Sequence, residues 1–347
     1  MAYTTINKST DHFNTVLYTG NGSNARGITG VGFRPDFVWN KGRDDTWQNI
    51  LTDIVRGATK NLYSDATNGE VTDSTRLQSF DSDGFTIGTN NQINENTDTY
   101  VAWNWLAGGS QGSSNTDGSI NTTYTSVNSV AGFSISKYVG TGSAGTVGHG
   151  LGVAPKMIII KNISQTTDWV IGHQEADASN PWNKYFEFNQ NAVQDNTVFN
   201  DTAPTSSVFS VGSDGKVSSG AGSHVAYCFA EKIGYSKIGK YVGNNSADGP
   251  FIYTGFKPKF VMIKNAHTAT NWSITDDKRD GYNTAGNKVI YPNTNGAEDT
   301  YYPIDHLSNG FKIRLNTEGY NGDGGDYIYM AFGQSLVGSN NVPCTAR

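Results

Sequence analysis

Three 25-residue stretches of the chain align without a gap: YTGNGSNARGITGVGFRPDFVWNKG at Tyr18–Gly42, YVGTGSAGTVGHGLGVAPKMIIIKN at Tyr138–Asn162 and YVGNNSADGPFIYTGFKPKFVMIKN at Tyr241–Asn265. Six positions are identical in all three copies, namely Tyr18, Tyr138 and Tyr241; Gly20, Gly140 and Gly243; Ser23, Ser143 and Ser246; Gly32, Gly152 and Gly255; Pro35, Pro155 and Pro258; and Lys41, Lys161 and Lys264. Identities at the same offsets in three copies indicate an internal repeat.

Each repeated position predicts a local structure, as the first copy illustrates. Tyr18 ends a strand, and Gly20 supplies a turn with positive φ. The Gly32-x-x-Pro35 corner fixes φ at the proline and starts a short strand, whose continuous apolar run is typical of burial on both faces. Lys41 is predicted to close that strand at the surface.

Each copy also ends in a similar way, with large apolar residues at alternate positions of a short run. The three triplets are Val101, Trp103 and Trp105; Val225, Tyr227 and Phe229; and Ile328, Met330 and Phe332. A period of two places each triplet on one face of a strand. The interval from opening to closing run makes each unit about 100 residues, the size of a small β-sandwich.

The composition supports strands and excludes a mostly helical protein. The chain has 41 Gly but only nine Leu, so good helix formers are scarce. We therefore predict an all-β fold of three tandem β-sandwich-like modules. The boundaries are module 1 at 1–107, a Gly/Ser/Asn-rich linker at 108–130, module 2 at 131–232, module 3 at 233–334 and a C-terminal tail at 335–347. A short junction, Glu231–Ser236, predicts a fixed orientation of modules 2 and 3.

Two features between the repeat positions are less regular. A Trp follows the proline by 14 residues in units two and three, at Trp169 and Trp272, and Trp47 is the nearest counterpart in unit one. The segment Asn49–Tyr63 fits either a helix or a strand and turn, because Gly57 interrupts its helical spacing.

The charge balance excludes several classes of partner. The net charge is −6, and no run of Lys or Arg exceeds two residues, so neither a nucleic-acid groove nor a polybasic membrane contact is predicted. No stretch approaches 18 apolar residues, and Met1–Thr10 lacks the features of a signal peptide. We expect no membrane insertion.

The sequence carries no strong catalytic or cofactor motif. Gly140–Gly145 matches G-x-G-x-x-G, but the residues after it cannot begin the helix that a dinucleotide site needs. Ser143 recurs as Ser23 and Ser246 and is better explained by a turn than by catalysis. The six histidines lack metal-ligand spacing, Cys228 reads as a buried side chain and Cys344 as a free thiol. We predict no enzyme activity and no cofactor.

Calcium and aromatic surfaces remain open alternatives. The Gly-rich acidic turns Asp81–Gly84 and Asn321–Asp326 offer oxygen ligands for Ca²⁺, against which solvated turns are the simpler interpretation. Aromatic residues are numerous enough for some to form a binding surface. The candidates are Trp182, Tyr185, Tyr301 and Tyr302; the alternative is that they pack under loops or at subunit contacts.

Several segments resemble a domain common in virion proteins of marine tailed bacteriophages, of the cyanophage and pelagiphage type. They are Met1–Gly22, Gly32–Trp39 (GFRPDFVW), Val55–Lys60 (VRGATK), Ser79–Phe85 (SFDSDGF) and Tyr100–Trp105 (YVAWNW). Residues 138–162 resemble a companion module of the same proteins. The resemblance covers most of 1–107 and 131–165 and is weaker in unit three. Its motifs are structural rather than catalytic.

This resemblance implies an external virion protein, made in the host cytoplasm and located at the tail or capsid surface. The leading expectation is a non-enzymatic tail fibre or receptor-binding protein that contacts a bacterial surface glycan or outer-membrane protein. The alternatives are a capsid-decorating or tail-adaptor protein bound to other virion proteins and, ranked lower, a surface-glycan depolymerase. A homo-oligomer, with a trimer preferred, is expected because closed symmetry lets weak contacts act together.

Overall fold

A computed structural model describes residues 4–188, 198–279 and 288–338, and the backbone of 194–195. Cys344 and residues 339–347 of the predicted tail lie outside the described residues. The all-β prediction is confirmed, since the described chain is built almost entirely from antiparallel sheets. The helical segments are single turns, at Ser9–Asp11, Asn91–Asn94, Pro181–Asn183 and Gly215–Ser218. No helix in the described ranges is long and apolar enough to cross a membrane.

The strands fall into three sets that follow the repeat. Unit one contains β1 (Phe13–Thr19), β2 (Arg26–Thr29), β3 (Phe37–Gly42), β4 (Ile50–Asp53), β5 (Lys60–Tyr63), β6 (Val71–Thr72), β7 (Leu77–Asp81), β8 (Gly84–Ile87) and β9 (Thr99–Trp105). Unit two contains β10 (Thr122–Asn128), β11 (Phe133–Val139), β12 (Gly145–Gly148), β13 (Met157–Asn162), β14 (Val170–His173), β15 (Lys184–Tyr185), β16 (Gln194–Asp195), β17 (Val208–Val211) and β18 (Ser223–Phe229). Unit three contains β19 (Ser236–Val242), β20 (Phe251–Tyr253), β21 (Lys257–Asn265), β22 (Ser273–Asp276), β23 (Lys288–Val289), β24 (Asp299–Thr300), β25 (Ile304–Leu307), β26 (Gly310–Ile313) and β27 (Asp326–Gln334).

Each unit has a main sheet with the same central strand order. The orders are β1-β9-β3-β4-β5-β6 in unit one, β10-β11-β18-β13-β14 in unit two and β19-β27-β21-β22 in unit three. The closing strand of each unit thus lies between the opening strand and the strand that follows the proline in units one and two and contains it in unit three. A minor sheet accompanies each main sheet, with orders β2-β8-β7, β12-β17 and β20-β26-β25. The segment Asn49–Tyr63, for which the sequence allows either a helix or a strand and turn, forms β4 and β5.

Each main sheet is buried on both faces because it separates two hydrophobic cores. One face of the unit-one sheet contributes Val38 and Ala102 to a private core with the minor sheet. The other face contributes Trp39 and Trp103 to a core that is shared with the other two units. All three closing triplets belong to this shared core, as the alternation predicts.

Three equivalent aromatic rings meet inside the shared core. The ring centroids of Trp105 and Phe229 are 6.4 Å apart, those of Phe229 and Phe332 are 6.0 Å apart, and those of Trp105 and Phe332 are 5.8 Å apart. Each ring is the last member of its closing triplet, so the three units are arranged around a pseudo-threefold axis. The repeats therefore form one closed body around a common centre.

The two ends of the described chain are hydrogen-bonded to each other, which closes the body formed by the three units. The Ser9 amide donates to Gln334 Oε1 at 2.7 Å, and Gln334 Nε2 donates to the Asn7 carbonyl at 3.0 Å.

The segment predicted as a linker belongs in part to a sheet. Within the predicted linker 108–130, Thr122–Asn128 forms β10 and pairs with β11. β10 is an edge strand that contains three threonines, Thr122, Thr123 and Thr125, a residue type that favours strands although it is polar.

Candidate functional site

The repeated tyrosines hold each unit's opening strand to its closing strand. Tyr18, Tyr138 and Tyr241 stack on Tyr100, His224 and Tyr327 with ring centroids 5.0, 5.1 and 4.9 Å apart. Their hydroxyls donate to the carbonyls of Ile93, Val217 and Tyr320 at 2.9, 2.7 and 2.8 Å. The same buried contact in each unit explains the identity without a role in binding.

The first repeated glycine is required by a close backbone approach rather than by positive φ. A Cβ at Gly20 would lie 1.9 Å from the Glu95 carbonyl oxygen, and one at Gly140 or Gly243 would lie 2.4 or 2.2 Å from the equivalent oxygen. None of the three has positive φ, which corrects the predicted turn conformation. Positive φ occurs at the second repeated glycine, with values of 88°, 74° and 83° at Gly32, Gly152 and Gly255 before the prolines Pro35, Pro155 and Pro258.

The repeated serines mark a loop whose backbone is held by one side chain in each unit. The carbonyls of Ser23, Ser143 and Ser246 accept hydrogen bonds of 2.8, 2.9 and 2.7 Å from Asn94, Ser218 and Asn321. The serine hydroxyl is not the repeated contact, so the position has a structural explanation.

The repeated lysines are buried, and their predicted place at the surface is wrong. Lys41, Lys161 and Lys264 are at most 1% exposed. Their ammonium groups donate to backbone carbonyls: Lys161 Nζ lies 2.9 Å from the Thr67 oxygen of unit one, and Lys264 Nζ lies 2.9 Å from both the Thr268 and Thr270 oxygens. Burial away from water lowers the pKa of each lysine to about 8. An apolar stem of four carbons lets the strand bury the lysine while its ammonium group caps loop carbonyls.

The counterpart of Trp169 and Trp272 in unit one is Asn49, not Trp47. Strand pairing places each of these residues immediately before β4, β14 or β22. Trp169 Nε1 donates to the Tyr63 carbonyl of unit one at 2.8 Å, and Asn49 Nδ2 donates to the Thr294 carbonyl of unit three at 2.9 Å. An amide can therefore replace the indole N–H at this junction, which sequence similarity did not indicate.

The acidic turns are occupied by donors of the protein itself. Asp83 accepts from the Gly30 and Gly32 amides at 3.1 and 2.6 Å, and Asp81 accepts from Ser79 and Thr86 hydroxyls at 2.8 and 2.7 Å. In unit three, Asp326 Oδ2 lies 3.1 Å from His267 Nε2. Within the described ranges, no group of three or more His, Cys, Asp or Glu side chains is placed to hold a metal ion.

The four aromatic candidates have different environments. Trp182 and Tyr185 are only 4% and 3% exposed and belong to the private core of unit two, so they do not form the predicted surface. Trp182 packs edge-on against Phe199 at 5.2 Å. Tyr302 is half-buried, and its hydroxyl bonds to Asp305. Tyr301 is also half-buried but lines a groove of about 290 Å³ together with Tyr291 and Tyr320.

A second aromatic surface of unit three was missed in the sequence. On the edge strand β20, Phe251 and Tyr253 are 46% and 55% exposed, and Ile233 nearby is 71% exposed. Tyr253 lies between two clefts of about 370 and 180 Å³. The first is bordered by Asn309 and Leu336, and the second also contains Ile233. We call Phe251 and Tyr253, together with the neighbouring Ile233, the aromatic platform.

The repeat itself shows that this platform is not required by the fold. Strand pairing aligns Ile252 of unit three with Ile28 of unit one and Val147 of unit two, each opposite a Phe. The positions of Phe251 and Tyr253 are then taken by Gly27 and Thr29 in unit one, and by Thr146 and Gly148 in unit two. The same strand thus forms twice without exposed aromatic rings. Comparison of the three paired strands is the signal that identifies this surface.

Comparison with known families gives one match over nearly the whole repeat region. The family described as a domain of unknown function (DUF7483) matches residues 8–335. No curated protein and no solved structure matches the chain. The matched range spans all three units, in agreement with one body closed around the shared core.

Proposed function

Since the chain belongs to the DUF7483 family, we propose from its geometry that it is a non-enzymatic virion protein of a tailed bacteriophage that attaches to the bacterial surface. The observation that carries the proposal is the aromatic platform of unit three. Exposed rings beside clefts stack on sugar faces or anchor a protein contact. The resemblance of units one and two to phage virion domains supplies the biological setting.

The architecture supports a role in presenting this platform. All three units surround the shared core, and Trp103 of unit one donates a buried hydrogen bond of 3.0 Å to Asp276 of unit three, while β20 remains at the edge of a minor sheet. A rigid body in which only unit three carries the aromatic platform suits the end of an appendage, where binding residues need a fixed orientation. We propose a bacterial surface glycan or outer-membrane protein as the receptor.

Competition for adsorption tests this function. Purified protein added to host cells should reduce phage adsorption, and a variant carrying Phe251→Ala and Tyr253→Ala should lose at least tenfold of its competing strength. The matched control is Thr29→Ala, which alters the position of unit one that corresponds to Tyr253. Equal competition by the platform variant and the control would contradict the role of the platform.

A second candidate function is contact with another virion subunit, as in a capsid-decorating or tail-adaptor protein. It is favoured by the apolar character of the platform, because Ile233 stands beside Tyr253 with most of its side chain in water. Copies per particle separate the two functions, since decoration requires hundreds of copies and a receptor-binding appendage requires tens or fewer. Release of reducing or unsaturated ends from host polysaccharide would instead indicate a depolymerase.

A further inference from the structure

Unit two holds a lysine over a tyrosine, between two carboxylates. Lys216 Nζ lies 2.6 Å from Glu187 Oε1, 3.2 Å from Asp168 Oδ2 and 5.4 Å from the centre of the Tyr185 ring. An ammonium group above an aromatic face and next to carboxylates is stabilised by both interactions. The site is therefore filled by a cation of the same unit.

Unit one fills the corresponding place with an arginine. The Arg76 guanidinium carbon lies 5.0 Å from the centre of the Tyr63 ring, and Arg76 Nη2 donates to Gln92 Oε1 at 2.8 Å. Its Nε lies 3.2 Å from Asp73 Oδ2. Lysine and arginine thus serve the same purpose in two units, although they come from different positions of the chain.

Hydrogen bonding identifies the corresponding residues of unit three. Gly319 follows Thr317 by two residues, and the Thr317 carbonyl accepts from the Tyr320 amide at 3.0 Å; Lys216 follows Asp214 in the same way, with a bond of 3.0 Å from the Val217 amide. Gly319 therefore stands at the position of Lys216.

The other two residues around Lys216 also have counterparts in unit three. Tyr291 follows Ile290, which pairs with Ile274, and Glu187 follows Phe186, which pairs with Ile171. Asn271 and Asp168 each precede the repeated tryptophan. Gly319, Tyr291 and Asn271 are thus the unit-three equivalents of Lys216, Glu187 and Asp168, and all three line the groove that contains Tyr301.

In the part of the chain that the structure describes, no lysine or arginine lines this groove of unit three. Its walls include three tyrosines (Tyr291, Tyr301 and Tyr320) and the exposed carboxylate of Glu318. Asp299 is exposed beside it and accepts from the Tyr291 hydroxyl at 3.3 Å. Among the described residues, neither Glu318 nor Asp299 forms an ion pair. The groove thus combines tyrosine faces with carboxylates that come from Glu318 and Asp299 instead of from the positions of Glu187 and Asp168, and no described lysine or arginine fills it.

We propose that this groove binds an organic cation, an ammonium or guanidinium group of a ligand, in the place that Lys216 and Arg76 fill in units two and one. The volume of about 290 Å³ accommodates such a group with part of its carrier. Tyrosine faces and the Glu318 carboxylate recognise the charge. The proposal extends the proposed function and does not depend on it, because binding is a property of the isolated protein.

Titration of the purified full chain followed by calorimetry or NMR shifts tests the proposal. The probes are Nα-acetylarginine amide and glucosamine, and their neutral counterparts are Nα-acetylcitrulline amide and N-acetylglucosamine. We expect the cationic probes to bind at least tenfold more tightly than the neutral ones, with binding that weakens as salt is added. The tighter of the two cations distinguishes a basic peptide from an amino sugar as the source of the group. Equal binding of charged and neutral probes, or no binding by either cation, would overturn the proposal.

Two variants place the binding in this groove. Gly319→Lys places a lysine at the position that Lys216 occupies in unit two and should weaken cation binding at least tenfold. A Cβ at Gly319 meets nothing within 4 Å, so the fold tolerates the substitution. Gly27→Lys adds the same charge to unit one, also with nothing within 4 Å of the new Cβ, and should bind like the parent. Tyr301→Leu removes an aromatic face and should weaken cation binding without altering thermal unfolding by more than a few degrees. Unchanged binding in both groove variants would contradict the assignment.

Discussion

The hydroxyl of Tyr227 in unit two donates a 2.7 Å hydrogen bond to Asp53 Oδ2 in unit one. Asp53 is also paired with Arg56 Nε at 2.5 Å, and both side chains are fully buried. Trp103 of unit one makes the corresponding bond to Asp276 of unit three at 3.0 Å. Equivalent buried groups thus connect successive units around the axis and fix how their sheets meet.

Tyr227→Phe should lower the free energy of unfolding of the whole chain by about 1.5–3 kcal/mol, because it removes a hydrogen bond to a buried charged group. The aromatic ring and its packing remain. Chemical denaturation measures the change, and Tyr253→Phe, which alters an exposed hydroxyl, should leave stability within about 0.5 kcal/mol of the parent. A loss confined to the signals of one unit would argue against coupling between units.

The junction of units two and three should be sensitive to acid. His173 occupies the position of Asp53 and Asp276, and burial lowers its pKa from 6.5 to about 4. Between these values the unfolded chain binds more protons, so stability is complete above pH 6.5 and is lost as pH falls towards 4, by up to about 3 kcal/mol. Unfolding by urea across this range should show a shallower loss for His173→Gln than for the parent. Thr29→Ala, at an exposed residue that does not titrate, should follow the parent curve.

The buried lysines predict the behaviour at alkaline pH. Because the pKa of Lys264 falls from 10.5 to about 8 on burial, the unfolded chain binds more protons between these values, and stability rises with pH across that window. The contribution reaches about 3 kcal/mol for one lysine. In denaturant titrations from pH 7 to 10.5, Lys264→Met should remove this part of the increase in the free energy of unfolding. Lys240→Met, at an exposed lysine, should show the same increase as the parent. Parallel curves for the two variants would show that Lys264 does not titrate in this range.

A methyl group at the first repeated glycine should be costly. Gly20→Ala places a Cβ 1.9 Å from the Glu95 carbonyl oxygen, and relief of this overlap requires the backbone to shift, at a cost of about 1–3 kcal/mol. Gly27→Ala is the matched control, since its Cβ meets nothing within 4 Å. Thermal unfolding should separate the two variants, and equal midpoints would refute the close approach.

The sequence predicts the strands of this fold better than their assembly. Alternation of Trp103 and Trp105 shows which side of a strand is apolar, but it does not show whether that side faces its own unit or a neighbour. The apolar run after Pro35 predicts burial on both faces, and the structure adds that the second face belongs to a core common to three units. The charge of Lys41 predicts a place at the surface, whereas its hydrogen bonds to loop carbonyls depend on a fold that brings distant segments together.

For the candidate binding surfaces too, the sequence does not predict which side chains the assembled fold leaves exposed. Position outside the repeat predicts a surface role for both Tyr301 and Trp182, but Tyr301 lines a groove whereas Trp182 fills the core of unit two. Phe251 and Tyr253 lie inside the repeat, and a gapless alignment does not predict their exposure because it does not reveal which neighbours share a strand face. Strand pairing supplies that information, and only then do Gly27 and Thr29 become their counterparts.

Hydrogen exchange of a Phe332→Ala variant tests most directly whether the three units share one centre. Removing this ring leaves a cavity beside Trp105 and Phe229, with an expected loss of about 3–5 kcal/mol. We predict faster amide exchange in all three closing strands, 99–105, 223–229 and 326–334. Faster exchange in 326–334 alone, with parental protection in the other two strands, would contradict a common core.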